Sequence, residues 1–188
     1  MHLADGPVHL VGHSFGATAT LLAALDLGDQ VQSLTLIEPV QFAAARGTDA
    51  FNDHGMIFQK IDQAIQDGDR RFAAHRFLDL WGEPNAWRDL PASGQAALAA
   101  MIHVIPAQTG ALRDDVNGIL TPGRLEGFQV PVRLIEGSKS HPVVAAVHDH
   151  LEQRLPNVER HIINGAGHMC PITHAPDVAN IIRPLLVP

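Results

Sequence analysis

Two short stretches of the 188-residue sequence carry side chains that together could break a carbonyl bond. Gly12-His13-Ser14-Phe15-Gly16 sets a serine between glycines two residues away on either side, and Gly165-Ala166-Gly167-His168 sets a histidine behind a glycine-rich turn. A serine hydroxyl is a weak nucleophile until a base takes its proton, and imidazole is the side chain best suited to do so near neutral pH. Ser14 is therefore the candidate nucleophile. His168 is the candidate general base, which takes the serine proton and returns it to the leaving group. A third group must orient the imidazole and stabilise its charged form, and a carboxylate does this. No local pattern marks which carboxylate does so. The bland alternatives are a serine that N-caps an ordinary helix, a glutamate that caps the turn before Pro39, and a histidine that is merely one of 12.

The G-x-S-x-G pattern has chemical meaning only where a strand hands over to a helix. The serine must stand exposed on a sharp, strained turn, with the glycines allowing neighbouring backbone to pass closely. The surrounding sequence fits. Val8–Val11 is a compact apolar run bounded by Gly6-Pro7 and Gly12, which predicts a buried strand. Ala17–Leu27 is rich in Ala and Leu and is followed by Gly28, which predicts a helix with a glycine C-cap. Leu34–Ile37 is a second strand, ended by Pro39, and the βαβ unit implies a parallel sheet. The alternation returns late, with strands at Val132–Ile135 and Val158–Ile163 and helices at Val143–Leu155 and Asp177–Leu186. Between the halves, helical faces are marked by Ile57, Ile61 and Ile65, by Phe72–Trp81 and by Gln95–Ile105, with Pro84, Pro91, Pro106 and Pro122 as punctuation. Trp81, Trp87 and the phenylalanines there are expected to pack these helices, some of them lining an apolar pocket. The expected fold is α/β: a parallel sheet of about four strands with flanking helices, formed by residues 1–39 and 129–188, and a helical cap inserted at 40–128.

Strand-G-H-S-F-G-A, a strand ending in L-I-E-P-V and a late G-A-G-H before the last helix resemble the α/β-hydrolase family, and the order nucleophile, acid, histidine also matches. The similarity runs from the family's fifth strand to its last helix. It implies that the backbone N–H of Phe15 is an oxyanion-hole donor and that residues 40–128 select the substrate. In most members the acid follows the seventh strand in a G-x-x-D turn. Here that turn reads Gly137-Ser138-Lys139-Ser140, with a serine where aspartate is expected. Some relatives, certain haloalkane dehalogenases among them, carry the acid after strand six. Glu38 matches that position and is the chosen acid, while Glu136 lies one residue before Gly137. Ser14 weighs against dehalogenase or epoxide-hydrolase chemistry, which in this fold uses an aspartate nucleophile. The family's first four strands and the loop supplying its second oxyanion donor have no counterpart after Met1, so a fragment with an internal start is expected. Its Val8–Val11 edge would invite self-association.

Composition narrows the partners. A formal charge of −7, with no basic run, argues against nucleic acid or an anionic membrane surface. The apolar stretch Ala17–Leu25 is too short to span a bilayer. The single cysteine, Cys170, allows no internal disulfide, reads as an ordinary buried thiol and makes a cytoplasmic location the default. His148-Asp149-His150 does not place its histidines on one helical face, so no metal is expected there, and Gly165-Ala166-Gly167 lacks the third glycine of a dinucleotide site. No cofactor is expected, and the expected partner is a small carbonyl compound. The leading expectation is a serine hydrolase cleaving an ester, lactone or thioester. The alternatives are a non-catalytic binding protein on the same fold, motivated by Ser140, and a carbon–carbon bond hydrolase or cofactor-free perhydrolase.

Overall fold

A computed structural model describes residues 6–186. Strand β1 (Val8–His13) runs through Ser14 directly into helix α1 (Phe15–Leu27), and the chain returns in β2 (Val31–Ile37). The helix begins two residues earlier than its Ala/Leu content suggested, because the turn at Ser14 leaves no linker between strand and helix. Gly28, at φ 54°, closes α1 by donating its N–H to the Ala24 carbonyl. β3 (Val132–Gly137) and β4 (Val158–Ile163) complete a parallel sheet of order β1-β2-β3-β4. The two central strands are buried almost throughout, whereas β1 is an edge among the described residues and its Val11 is 47% exposed.

Side chains alternate across the sheet with the period of two that strands impose. Leu34, Leu36, Val132 and Leu134 share one core with Leu21 and Ala24 of α1 and with Val143, Val147 and Leu151 of α8 (Pro142–Arg154). Ile37, Ile135 and Ile163 face the other way. They pack with Ala166, with Cys170 at the start of the short helix α9 (Cys170–Thr173), and with Val178 of α10 (Ala175–Leu186).

The chain between β2 and β3 is helical, as its pattern predicts: α2 (Asp49–Gln66), α3 (Arg70–Trp81), α4 (Ala86–Asp89), α5 (Ala92–Met101), α6 (Val104–Ala107) and α7 (Thr109–Arg113). Thr48 and Asp69 cap α2 and α3 with their side chains. A small core of its own, built on Ile61, Ala64, Ala73, Ala74, Trp87 and Ile102, holds these helices together. The single helix expected over Gln95–Ile105 is broken into α5 and α6. Pro106 cannot donate to the Ile102 carbonyl and its ring would clash there, so the break falls at Ile102-His103. Val40, Phe42, Ala44 and Ala45 at one end, and Leu112, Ile119, Leu125 and Phe128 at the other, join the main core beneath the sheet's helices. Asp115 ties the two ends. Its carboxylate accepts from the N–H groups of Ile119 and Leu120, each at 2.9 Å, and from Gln41 Nε2 at 2.8 Å.

Candidate active site

The sheet's C-terminal edge gathers the candidate residues by one repeated device. Past the end of each strand the next backbone N–H continues the ladder onto its neighbour. Ser14 donates to the Ile37 carbonyl at 2.9 Å, Glu38 to Ile135 at 2.9 Å and Ser138 to Ile163 at 3.0 Å. Ser14 itself adopts φ 56° and ψ −127°, a left-handed conformation that costs a non-glycine residue about 1–3 kcal/mol and lifts its side chain clear of the sheet. Gly12 makes that turn possible. A Cβ there would lie 2.6 Å from the Gly16 carbonyl oxygen and 2.7 Å from Ala17 Cα. The expectation that both glycines serve close passage holds only for Gly12, since a Cβ on Gly16 would meet nothing within 4 Å. Phe15 and Gly16 open α1, where N–H groups have no helical acceptor behind them.

Glu38 follows β2 at φ 51°, again left-handed, and is fully buried. Burial alone would raise its carboxyl. Hydrogen bonds from His168, from the Ser140 hydroxyl at 2.6 Å and from the Gly137 N–H at 2.7 Å outweigh that and hold it below the usual carboxylate range. Ser140 is therefore not a vacancy where an acid should be. It stands in the expected turn and donates to an acid that arrives from the neighbouring strand. Glu136, the other carboxylate considered, accepts from Arg160 Nη2 at 2.8 Å and Nε at 3.1 Å, and only Glu38 of the two contacts His168.

The His168 ring bridges the other two groups, with Nδ1 2.9 Å from Glu38 Oε2 and Nε2 2.9 Å from Ser14 Oγ. An ionised carboxylate only accepts, so Nδ1 carries the proton and Nε2 is free to accept from the serine hydroxyl. The loop that presents His168 is fastened to the end of β3. Gly165 donates to Ser138 Oγ at 2.9 Å and Lys139 donates to the Ala166 carbonyl at 2.9 Å. Gly137 is required by this crossing, since a Cβ there would lie 2.3 Å from the Ala166 oxygen. Two residues that sequence reasoning did not place also hold the histidine. His13 Nε2 donates to the His168 carbonyl at 2.8 Å, with burial pulling the His13 ring below its ordinary range. Trp81 packs against the His168 ring at 4.5 Å between centroids. His13 fills an unconstrained position of its motif and Trp81 reads only as a core aromatic, so neither bore a local signal.

Ser14 and His168 open into a cavity of about 530 Å³ whose walls are overwhelmingly apolar, among them Phe42, Phe58, Phe77, Trp81, Ile105 and Leu112. A hydroxyl, a hydrogen-bonded imidazole and backbone N–H groups facing an apolar chamber can attack a carbonyl and stabilise the resulting oxyanion. The groups set aside from sequence lie elsewhere. Cys170 is buried and its thiol is pushed up to about 12, by burial first and then by the charge on Glu38. His148 is buried beside Glu136, Asp149 pairs with Arg160, and His150 lies near Arg154. Among the described residues no helix is long and apolar enough to cross a membrane.

Comparison with known proteins agrees with this geometry. No curated protein sequence matches the chain. Among solved structures it is similar to an alpha/beta hydrolase from Sphaerobacter thermophilus (19% identity, TM-score 0.61, covering 97% of this chain and 68% of that one). It is also similar to a putative non-heme bromoperoxidase from Mycobacterium tuberculosis (17%, 0.60, 96% and 66%). A third is naproxen esterase from Bacillus subtilis (16%, 0.61, 96% and 60%). The chain thus spans between 60% and 68% of the length of these three, and at such identities the likeness concerns the fold. The model of the alpha/beta hydrolase family matches residues 2–181, nearly the whole sequence, and the chain belongs to that family.

Proposed function

We propose that the chain carries the reacting groups of a serine hydrolase that cleaves an ester, lactone or related carbonyl substrate. The observation behind this reading is the continuous relay Glu38–His168–Ser14, with both links at 2.9 Å and its outer end in an apolar cavity. Ser14 Oγ attacks the carbonyl carbon as its proton passes to His168 Nε2. The oxyanion of the tetrahedral intermediate meets the Phe15 N–H at the positive end of α1. Collapse breaks the bond to the leaving alcohol, which departs with the proton from His168, and leaves an acyl group on Ser14. Water repeats the sequence and frees the acid. Glu38 keeps the ring in the reactive tautomer and stabilises the imidazolium. The helices between β2 and β3 act as the cap that selects the substrate. The non-catalytic alternative drew on the missing acid at position 140, and the buried Glu38 carboxylate beside His168 supports the catalytic reading over it. Perhydrolysis uses the same three groups, and the likeness to a putative bromoperoxidase keeps it as the second reading. The lone buried thiol suits a cytoplasmic setting.

Rapid mixing with 4-nitrophenyl acetate tests the proposal. The expected outcome is a burst of nitrophenolate with one acetyl group trapped on Ser14, absent in Ser14→Ala. Turnover that persists in Ser14→Ala overturns it. Repeating the assay with hydrogen peroxide separates peracid formation from hydrolysis.

A further inference from the structure

Several polar residues outside the relay line the cavity, Glu83, Gln108, Thr109, Arg113 and Thr173 among them, and Arg113 is the one that carries a positive charge. Arg113 ends α7 and is the only lysine or arginine among the residues lining the chamber. It is half-buried, yet no carboxylate among the described residues forms an ion pair with it. Burial disfavours its charge. Asp114 and Asp62 act on it only from a greater distance, and Arg46, which donates to the Arg113 carbonyl, opposes them. A cation in that position is costly unless something pairs with it.

The surroundings nevertheless hold the guanidinium in one place. Its Cζ lies 4.1 Å above the centre of the Phe51 ring. Nη1 donates to His54 Nδ1 at 3.0 Å. His54 is a dependable acceptor because burial, aided by the charge on Arg113, keeps its ring neutral down to about 3. Gly55 supplies the space, since a Cβ there would lie 3.0 Å from Nη2. The structure gives the side chain this single hydrogen bond, out of the five N–H donors an arginine carries. The planar fork is thus fixed, charged and mostly unused, and its residue shares a wall with Ser14 and His168.

We propose that Arg113 receives a carboxylate on the substrate. Resting on the serine-hydrolase reading above, this makes the substrate an ester or related carbonyl compound whose apolar chain ends in a carboxylate. The apolar walls take the chain, Arg113 takes the anionic end, and the carbonyl is left at Ser14. A charge-assisted contact in a largely dry site is worth about tenfold or more in affinity.

Binding and turnover separate this proposal from the one it rests on. Calorimetry on the 188-residue chain and on Ser14→Ala, with octanoate and 1-octanol as probes, requires no chemistry. Octanoate is expected to bind both proteins at least about tenfold more tightly than octanol. That margin should vanish in Arg113→Met and survive in part in Arg113→Lys. In kinetics, the ratio of kcat/KM for the mono-4-nitrophenyl ester of adipic acid to that for 4-nitrophenyl hexanoate should fall by a similar factor in Arg113→Met. If the ester assays fail while octanoate still prefers Arg113, the hydrolase reading falls and the carboxylate site stands. Equal binding of octanoate and octanol to the unaltered chain, or an undiminished margin in a folded Arg113→Met, overturns the Arg113 proposal. If Arg113→Met does not fold, the two-probe comparison on the unaltered chain and on Arg113→Lys still decides.

Discussion

Two of the three residues in the relay stand in backbone conformations that L-residues avoid. Ser14 and Glu38 both have positive φ, and neither is glycine. The strain at Ser14 is the means by which its hydroxyl clears the sheet, and the strain at Glu38 turns its carboxylate away from β2 toward the His168 loop. Glu38 is also where the chemistry departs from the family's commonest pattern, so its substitution is informative. In Glu38→Gln, kcat for an ester is expected to fall about 10²- to 10⁴-fold, the range for disturbing a triad partner. Ser140→Ala removes a donor to the same carboxylate, leaves the Gly137 and His168 bonds, and should cost much less. Glu136→Gln, which disturbs the pairing with Arg160 and the contact with His148 but touches none of the relay, should leave kcat nearly unchanged. A near-silent Glu38→Gln beside a crippled Glu136→Gln would reverse the assignment.

Helices and strands bring their own titration behaviour. On α8, His148 is fully buried, its two ring nitrogens have no hydrogen-bond partner, and burial lowers it from 6.5 to about 4. Between those values the unfolded chain holds a proton that the folded chain refuses. Stability should therefore fall as pH drops from about 6.5 toward 4, by about 1.4 kcal/mol per unit at most from this residue. Urea unfolding of His148→Leu at pH 7 and pH 5 should show a smaller loss than the unaltered chain, and an identical loss would exclude His148 as a source. The four strands and their order of helices were readable from apolar runs, because both faces of a parallel sheet are covered and leave continuous hydrophobic segments. Ser14 and His168 were readable because each stands in a sequence context that only a strand end explains. Glu38 could be reached only by resemblance, since nothing local distinguishes a turn glutamate from an orienting one. The roles of His13, Ser140, Trp81 and Arg113 come from contacts across 59 to 155 positions of sequence separation, which periodicity does not encode. The break between α5 and α6 could have been found, because Pro106, the residue after the span expected to be one helix, cannot donate to the Ile102 carbonyl inside that span.

As a whole, the molecule presents an edge and a site at once. β1 pairs only with β2 among the described residues, and its Val11 and the adjacent Phe15 are 47% and 43% exposed. An apolar strand edge is a template for another chain, and self-association of the 188-residue chain through β1 is the expected consequence. Val11→Lys should shift the chain toward monomer in light scattering across a concentration series, whereas an unaltered distribution would place the contact elsewhere. The same edge ends one residue from Ser14, so association through it is expected to affect reactivity, and the two call for separate measurements. Labelling by a fluorophosphonate does this, because it reports on the nucleophile molecule by molecule, without turnover and without a known substrate. Mass analysis of the labelled chain should find one adduct, on the peptide containing Ser14. The adduct should be absent in Ser14→Ala and should form at least about 10²-fold more slowly in Glu38→Gln, as a disturbed relay requires. An adduct on any other residue, or labelling that survives Ser14→Ala, would contradict the relay of Glu38, His168 and Ser14.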